Sequence, residues 1–334
     1  MISKALRYLR YLNASRKYIR NYLSVNLRYF LLRRRLLRAG LLKVVCRDGY
    51  VLVLSPSLYA ALLRAMSVGI VDELRCGEGI AIVAHHVVSL YESSAGVSLK
   101  ALAYGWRYDV SCGCWVKGSA RFKHMYGPVF QVFEGGEYEF VDVRGKDVVD
   151  VGAFVGDSAI YFALRGARRV VAVEPHPEAF KEMIENIKLN SLEGKVIPIN
   201  AGLASKPGRL CIESSDIGDT IGSYHKPGEC RGSAVPATTL SEIMNTYGVA
   251  EDGAVLKMDC EGCEYDVILN DYEHVRLFNE VYFEYHAYAT EIPVDVLLKK
   301  LSKDFTCQVV SNREFYRSHG YGKKLLGLVK CVKK

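Results

Sequence analysis

The sequence predicts an α/β protein, with a mostly parallel sheet flanked by helices on both faces in its carboxyl-terminal half, preceded by a basic helical segment and a small α+β region. Three observations carry that prediction. From Lys146 onward apolar strands alternate with helical stretches. One strand runs into a glycine turn, and 22 residues past its first glycine the next strand ends in an acid. Residues 1–39 hold neither glycine nor proline and repeat apolar residues at helical spacing.

In residues 1–42, Ile2, Leu6, Leu9 and Leu12 fall on one side of a helix and Lys4, Arg7 and Arg10 on the other, which reads as one or two basic amphipathic helices. Residues 43–144 read as the small α+β region. Its β-leaning runs at 50–54, 80–83 and 130–133 alternate with glycine turns around a helix at 57–66. Residues 145–334 form the main domain, with strands at 148–151, 170–173 and 196–199 separated by helices at 158–165 and 177–190. The series resumes with a helix opened by the capping box Thr239-Leu-Ser-Glu242, then strands at 255–258 and 281–285. Residues 202–236 read as an irregular insert placed to cover a site.

Charge is divided along the chain. Residues 1–47 hold thirteen Lys and Arg and no acid, leaving 31 basic against 37 acidic residues downstream, so a net charge of +7 splits into +13 on the head and −6 on the body. No run approaches the roughly 20 apolar residues of a membrane span, and the amino terminus lacks a signal-peptide pattern. A cytoplasmic protein is expected, with its head as a peripheral contact for the inner membrane face. Only two glutamines, Gln131 and Gln308, occur. Shortage of thermolabile amides is a heat-adaptation signature, and hyperthermophile cytosol tolerates disulfides, so ten cysteines do not contradict that compartment.

The strand Asp147-Val-Val-Asp-Val151 leads into Gly152-Ala-Phe-Val-Gly156-Asp157-Ser158, where glycines let backbone approach a ligand and a helix amino terminus offers free N–H groups. Glu174-Pro175 stands where a carboxylate takes both hydroxyls of a ribose. The turn lacks the third glycine of a dinucleotide site and carries Asp150 before its first glycine. A carboxylate there repels pyrophosphate and suits the ammonium and sulfonium of S-adenosyl-L-methionine.

Asp150-Val-Gly-Ala-Phe-Val-Gly-Asp-Ser, Glu174-Pro, Asn200-Ala and Lys257-Met-Asp-Cys-Glu-Gly-Cys-Glu264 together resemble the FkbM-type S-adenosylmethionine-dependent methyltransferases over roughly residues 130–310. The resemblance implies a Rossmann-like class I methyltransferase fold of seven strands. It also implies a cofactor held by Asp150, Gly152, Ala153, Phe154, Gly156, Asp157, Ser158, Glu174, Pro175, Asn200 and Ala201, with its adenine end near the last two. Read without the family, Asn200 also suits a strand-end residue capping a turn.

Asp259, Glu261 and Glu264 follow one strand, and Glu284 and His286 close the next, at the strand ends where open α/β sheets bind ligands. So many acids require a cation among them: Lys257, the cofactor's sulfonium or a divalent ion. Asp259, Glu261, Glu284 and His286 are therefore the candidate catalytic residues, with His286 or a carboxylate as base for a hydroxyl acceptor. Oxygen ligands from Asp259 and Glu284 would suit Mg²⁺, which the sequence does not require. No Asn-Pro-Pro-Tyr-type segment follows Met258, which favours oxygen over an exocyclic base nitrogen. The expected reaction is O-methylation of a glycan, glycolipid or other polyhydroxylated small molecule. The alternatives are an RNA methyltransferase clamping its substrate with the basic head, or a catalytically silent nucleoside-binding protein at a membrane.

Cys112, Cys114, Cys260 and Cys263 could hold zinc, Cys211 and Cys230 could form a disulfide, or the cysteines could stay reduced, with Cys260 buried in its strand. The head, centred on Arg33-Arg34-Arg35, suits an anionic membrane surface, less so nucleic acid, or packs as an ordinary helical extension.

Overall fold

The computed structural model describes residues 2–38, 40–212, 217, 230, 232–249, 253–310 and 325–334. The chain divides into two compact units: Met1–Lys117 with residues 124–126, and residues 118–123 with 127–334.

The first unit opens with helices Ile2–Arg16 and Tyr22–Arg33, followed by a hairpin of Leu42–Val45 and Val51–Leu54. Helix Pro56–Val68 comes next, capped by Ser55, whose side chain accepts from Leu58 N–H, and closed by a left-handed Gly69. A three-stranded antiparallel meander, helix Ala95–Ala103 and a hairpin of Arg107–Asp109 with Cys114–Lys117 complete it. Val25 and Tyr29 of the head pack in one core with Leu42, Leu62 and Leu99, so the head helices are part of this unit's hydrophobic interior. Their outer face leaves Leu6, Leu9, Leu23 and Leu27 more than half exposed.

The second unit is built on seven strands: β1 Asp147–Val151, β2 Arg169–Val173, β3 Val196–Ile199, β4 Val255–Met258, β5 Glu280–His286, β6 Phe305–Val310 and β7 Leu326–Lys333. Their order is β3-β2-β1-β4-β5-β7-β6, and only β7 runs antiparallel to its neighbours. Strand alternation sends Val148, Val170 and Val255 to one face and Val149, Val171 and Leu256 to the other. The first face is covered by α1 Gly127–Gly135, α2 Asp157–Leu164 and α3 Pro177–Leu189, the second by α4 Leu240–Tyr247, α5 Cys263–Asn270 and α6 Val294–Leu301. The order reverses between β2-β1 and β4, which opens a crevice at the carboxyl ends of those strands. This is the mostly parallel Rossmann-like sheet that the sequence predicts.

Three expectations are corrected. Residues 130–133, read as β-leaning, lie inside α1, because Val132 packs on the core formed with Phe162 and Ala163 of α2 and Phe133 meets Tyr161 edge to face. Tertiary packing there outweighs the β preference of Val and Phe. The insert 202–236 is not wholly irregular: Gly202–Leu203, Ser233–Thr238 and Gly208–Ile212 form a small sheet in that order, while 213–216, 218–229 and 231 lie outside the described residues. All ten cysteines pair, as Cys46–Cys76, Cys112–Cys114, Cys211–Cys230, Cys260–Cys263 and Cys307–Cys331. The Cys211–Cys230 pairing is one of the alternatives that the sequence left open, and the alternative of reduced cysteines is not what forms. The zinc set is not formed, since each of its two pairs closes on itself, and Cys260 sits in the turn beyond β4 rather than within the strand.

Candidate active site

A cavity of about 520 Å³ occupies the crevice at the ends of β1, β2, β4 and β5. Its shape begins with Gly152 at the tip of β1. This residue has φ of 73°, and a Cβ there would come within 1.7 Å of the Asp259 carbonyl oxygen beyond β4, so only glycine fits. The backbone turns back through left-handed Phe154 and Gly156, the latter capping α2.

Phe154 N–H and His176 N–H each donate at 2.8 Å to one oxygen of Glu174, fixing that carboxylate at the tip of β2. Glu174 is 5 % exposed, and burial pushes its carboxyl up to about 7 against the pull of those two N–H groups. Burial likewise pushes Asp157 up to about 7. Beneath the turn, Lys257 Nζ lies 2.9 Å from Asp150 Oδ1 and donates to Gly152 O, while Ser158 donates to Asp150 Oδ2 at 2.7 Å. Burial alone would lower the Lys257 ammonium, but Asp150 and Asp259 outweigh it and hold it above the ordinary lysine range.

The other end of the cavity is acidic. Glu264 is fully buried, and its Oε1 accepts from His286 N–H at 2.9 Å and lies 3.0 Å from His286 Nδ1. That contact turns Nε2 toward Asp259 Oδ1 and Glu261 Oε2, each 3.6 Å away, and Glu284 Oε2 at 3.7 Å. Burial works against the imidazolium, yet Glu264, Glu284 and Glu261 overcome it and raise His286 well above its ordinary value. Burial, reinforced by Asp259, pushes Glu284 up to about 7. Glu261 is raised by burial as well, and accepts from the Tyr288 hydroxyl.

Of the residues expected from sequence, Gly152, Phe154, Asp157, Ser158, Glu174, Pro175, Asp259, Glu261, Glu284 and His286 all line this one cavity. Asp150, Ala153, Gly156, Asn200 and Ala201 do not line it; they stand behind its wall. Asp150 is fully buried against Lys257 and Ser158, and Asn200 Nδ2 donates to Glu174 O and Pro175 O, holding the β2 turn. Gln131, Glu137 and Tyr138 line the cavity and were missed, because the segment carrying α1 was read as a strand outside the domain. Burial, then Glu284 and Asp259, raise Glu137 well above the usual carboxylate range. His286, Asp259 and Glu284 also bring potential metal-ligand atoms within 4.8 Å of one another.

The donor set suits S-adenosylmethionine: a glycine cradle that a Cβ would fill, a fixed carboxylate at the β2 tip, and an acidic end for positive charge. Sheet and crevice together define a class I S-adenosylmethionine-dependent methyltransferase. Residues 150–319 match the family model described as the methyltransferase FkbM domain, and the chain belongs to the FkbM methyltransferase family.

Over 70 residues the chain is 41% identical to ribosomal protein L11 methyltransferase of Geobacter sp. (strain M21), covering 21% of this chain and 23% of that relative, so it spans less than a quarter of that protein's length. It is 26% identical over 183 residues to Uncharacterized protein 158B of Sulfolobus islandicus rod-shaped virus 1, covering 54% of this chain and 87% of that one. Among solved structures, methyltransferase FkbM from Methylobacillus flagellatus KT is similar at 13% identity and a TM-score of 0.40, covering 61% of this chain and 47% of that one.

Proposed function

We propose that this methyltransferase acts on a hydroxyl oxygen of a glycan, glycolipid or other polyhydroxylated small molecule. The observation that carries this reading is the acid and imidazole cluster of Asp259, Glu261, Glu284 and His286 facing into the cavity that Gly152 and Glu174 also line. When bound, S-adenosylmethionine supplies an electrophilic methyl group on a sulfonium. Glu174 would accept from its ribose hydroxyls, and the Gly152 turn would let backbone approach its amino-acid end. A hydroxyl is a weak nucleophile until its proton leaves, so the acceptor side needs a base. His286, already holding a proton against four carboxylates, is unsuited to take another and instead orients them. Glu284 accepts the proton, with Asp259 and Glu261 fixing neighbouring hydroxyls. A polyol matches this array because it offers several donors to several acceptors.

A divalent ion between Asp259, Glu284 and His286 is a second reading of the same cluster, favoured by the convergence of their ligand atoms. Chelation with EDTA followed by Mg²⁺ addition tests it: recovery of turnover supports the ion, and unchanged turnover removes it. The exposed Leu6, Leu9, Leu23 and Leu27, set among arginines with no acid before Asp48, favour an anionic lipid surface over RNA as the partner of the head. No helix among the described residues is long and apolar enough to cross a membrane, so such contact would be peripheral.

Transfer of a labelled methyl group to a panel of monosaccharides, inositol and glycolipid head groups, with tRNA and ribosomal RNA alongside, tests the acceptor class. Acid-stable methyl ethers on a polyol are expected. Methylation of RNA alone, or of nitrogen, would refute the reading.

A further inference from the structure

The Cys260–Cys263 bridge inside the acidic loop takes no part in the chemistry above. Cys46–Cys76 and Cys307–Cys331 span 30 and 24 positions, and Cys46, Cys76 and Cys331 are closed inside cores. Bridges that close long loops constrain the unfolded chain most. Cys260–Cys263 spans three positions and, like Cys112–Cys114 at two, gains little by that route. Both its residues are half-buried and line the cavity, which among the described residues no other cysteine does.

What the bridge encloses is a strained turn that carries the acceptor-side acids. Glu261 has φ of 56° and Gly262 of 120°, two successive residues in the left-handed half of backbone space, one of them bearing a side chain that resists it. From that backbone Glu261 meets Tyr288 and faces His286. Glu264, one residue past the bridge, holds the His286 ring, and its Oε2 lies 3.4 Å from Cys260 Sγ.

We propose that Cys260–Cys263 is a redox-modification site for a dithiol reductant, and that only the bridged form holds the acceptor-side cluster in its working arrangement. The effect on rate rests on the methyl-transfer reading; the chemistry of the bridge does not. A thiolate of the dithiol attacks Cys260 Sγ, the S–S bond breaks, and Cys263 leaves as a thiolate in the first turn of α5, where a helix amino terminus favours it. The second thiolate of the reductant then resolves the mixed disulfide. Two electrons and two protons pass to the protein, and the reductant departs as its own disulfide. The opened loop loses its closure, Glu261 relaxes from its positive φ, and the new Cys260 thiol donates to Glu264 Oε2. The carboxylate that fixes His286, whose Oε2 already accepts from Gly262 N–H, is then drawn to a further donor.

The test is a dithiothreitol titration of the full chain, read by differential alkylation with mass spectrometry and by the imidazole NMR signals. Cys260 and Cys263 are expected to open at lower reductant than Cys46–Cys76 and Cys307–Cys331, with the His286 signal shifting at the same concentration. Methyl transfer to a polyol acceptor should fall by about ten- to a hundredfold, the scale of a misplacement of about 1 Å. The double variant Cys260→Ser/Cys263→Ser, which keeps a donor beside Glu264 but cannot bridge, should show the reduced-state His286 signal and no further response. An unchanged His286 signal and rate when both thiols are free would overturn the proposal, as would a double variant that still responds, since other bridges would then be responsible. If no polyol is methylated in either state, the acceptor reading fails, while the order of opening and the His286 signal still decide the redox site.

Discussion

Replacing Glu174 by glutamine isolates the group that joins sequence reading to cofactor affinity most directly. Its carboxylate is held by two N–H groups at 2.8 Å and must be ionised to accept from two ribose hydroxyls as well. With its carboxyl pushed up to about 7 by burial, the protein without cofactor carries it largely protonated at pH 6. Apparent affinity for S-adenosylmethionine should then be about tenfold weaker at pH 6 than at pH 8, or about 1.4 kcal/mol. The sign follows from linkage: binding favours the carboxylate, so affinity rises with pH through about 7 and levels off above it. Stability of the unliganded protein runs the other way. The contribution of this group is complete below its ordinary value of 4.5 and is lost as pH rises through about 7. Glu174→Gln leaves one N–H facing an amide donor and removes a charge-assisted acceptor, a loss of about 1.5–3 kcal/mol per bond. Calorimetric titration at pH 6, 7 and 8 should give a variant that binds at least about tenfold more weakly at pH 8, with that pH dependence gone. A wild-type profile flat between pH 6 and 8, or a variant as tight as wild type, would refute the assignment of Glu174 to the ribose.

Lys257→Met leaves Asp150 charged and unpaired in a fully buried position, and should lower unfolding free energy by about 3–5 kcal/mol, read by denaturant melts. Adding Asp150→Asn should recover part of that loss. Gly152→Ala forces a Cβ against the Asp259 carbonyl, so cofactor binding should vanish while circular dichroism still reports a folded sheet; normal binding would show that the tips of β1 and β4 can part. With Glu284 as base and its carboxyl pushed up to about 7, turnover at saturating substrates should fall as pH drops below about 7, and Glu284→Gln should be slow at every pH. An acid limb that survives in the variant belongs to another group.

The sheet was legible because parallel strands buried on both faces read as continuous apolar runs, as in residues 170–173 and 281–283. That Gly152 and Glu174 line the crevice was legible for a related reason: each stands at the tip of a strand, Gly152 with a positive φ and Glu174 beside the His176 N–H that it accepts from. What escaped the sequence depends on long-range packing. In α1, valine and phenylalanine look like strand formers, and only their burial against α2 makes them helical, which concealed Gln131 and Glu137. Asp150 was expected to face the cofactor, but its charge is matched from below by Lys257, a contact between β1 and β4 that spacing does not show. Cysteine pairing was no more readable, since Cys307 meets Cys331 only because β6 and β7 are neighbours in register.

The close approach of Gly152 to the Asp259 carbonyl makes the cofactor turn and the acidic loop two sides of one hinge plate. A molecule wedged under residues 259–264 from the acceptor side would lift that carbonyl from the glycine and spoil the nucleoside cradle without touching it. Kinetically such an inhibitor would compete with S-adenosylmethionine while resembling the acceptor, and directed evolution of acceptor choice in this loop should repeatedly show altered cofactor affinity as its first symptom.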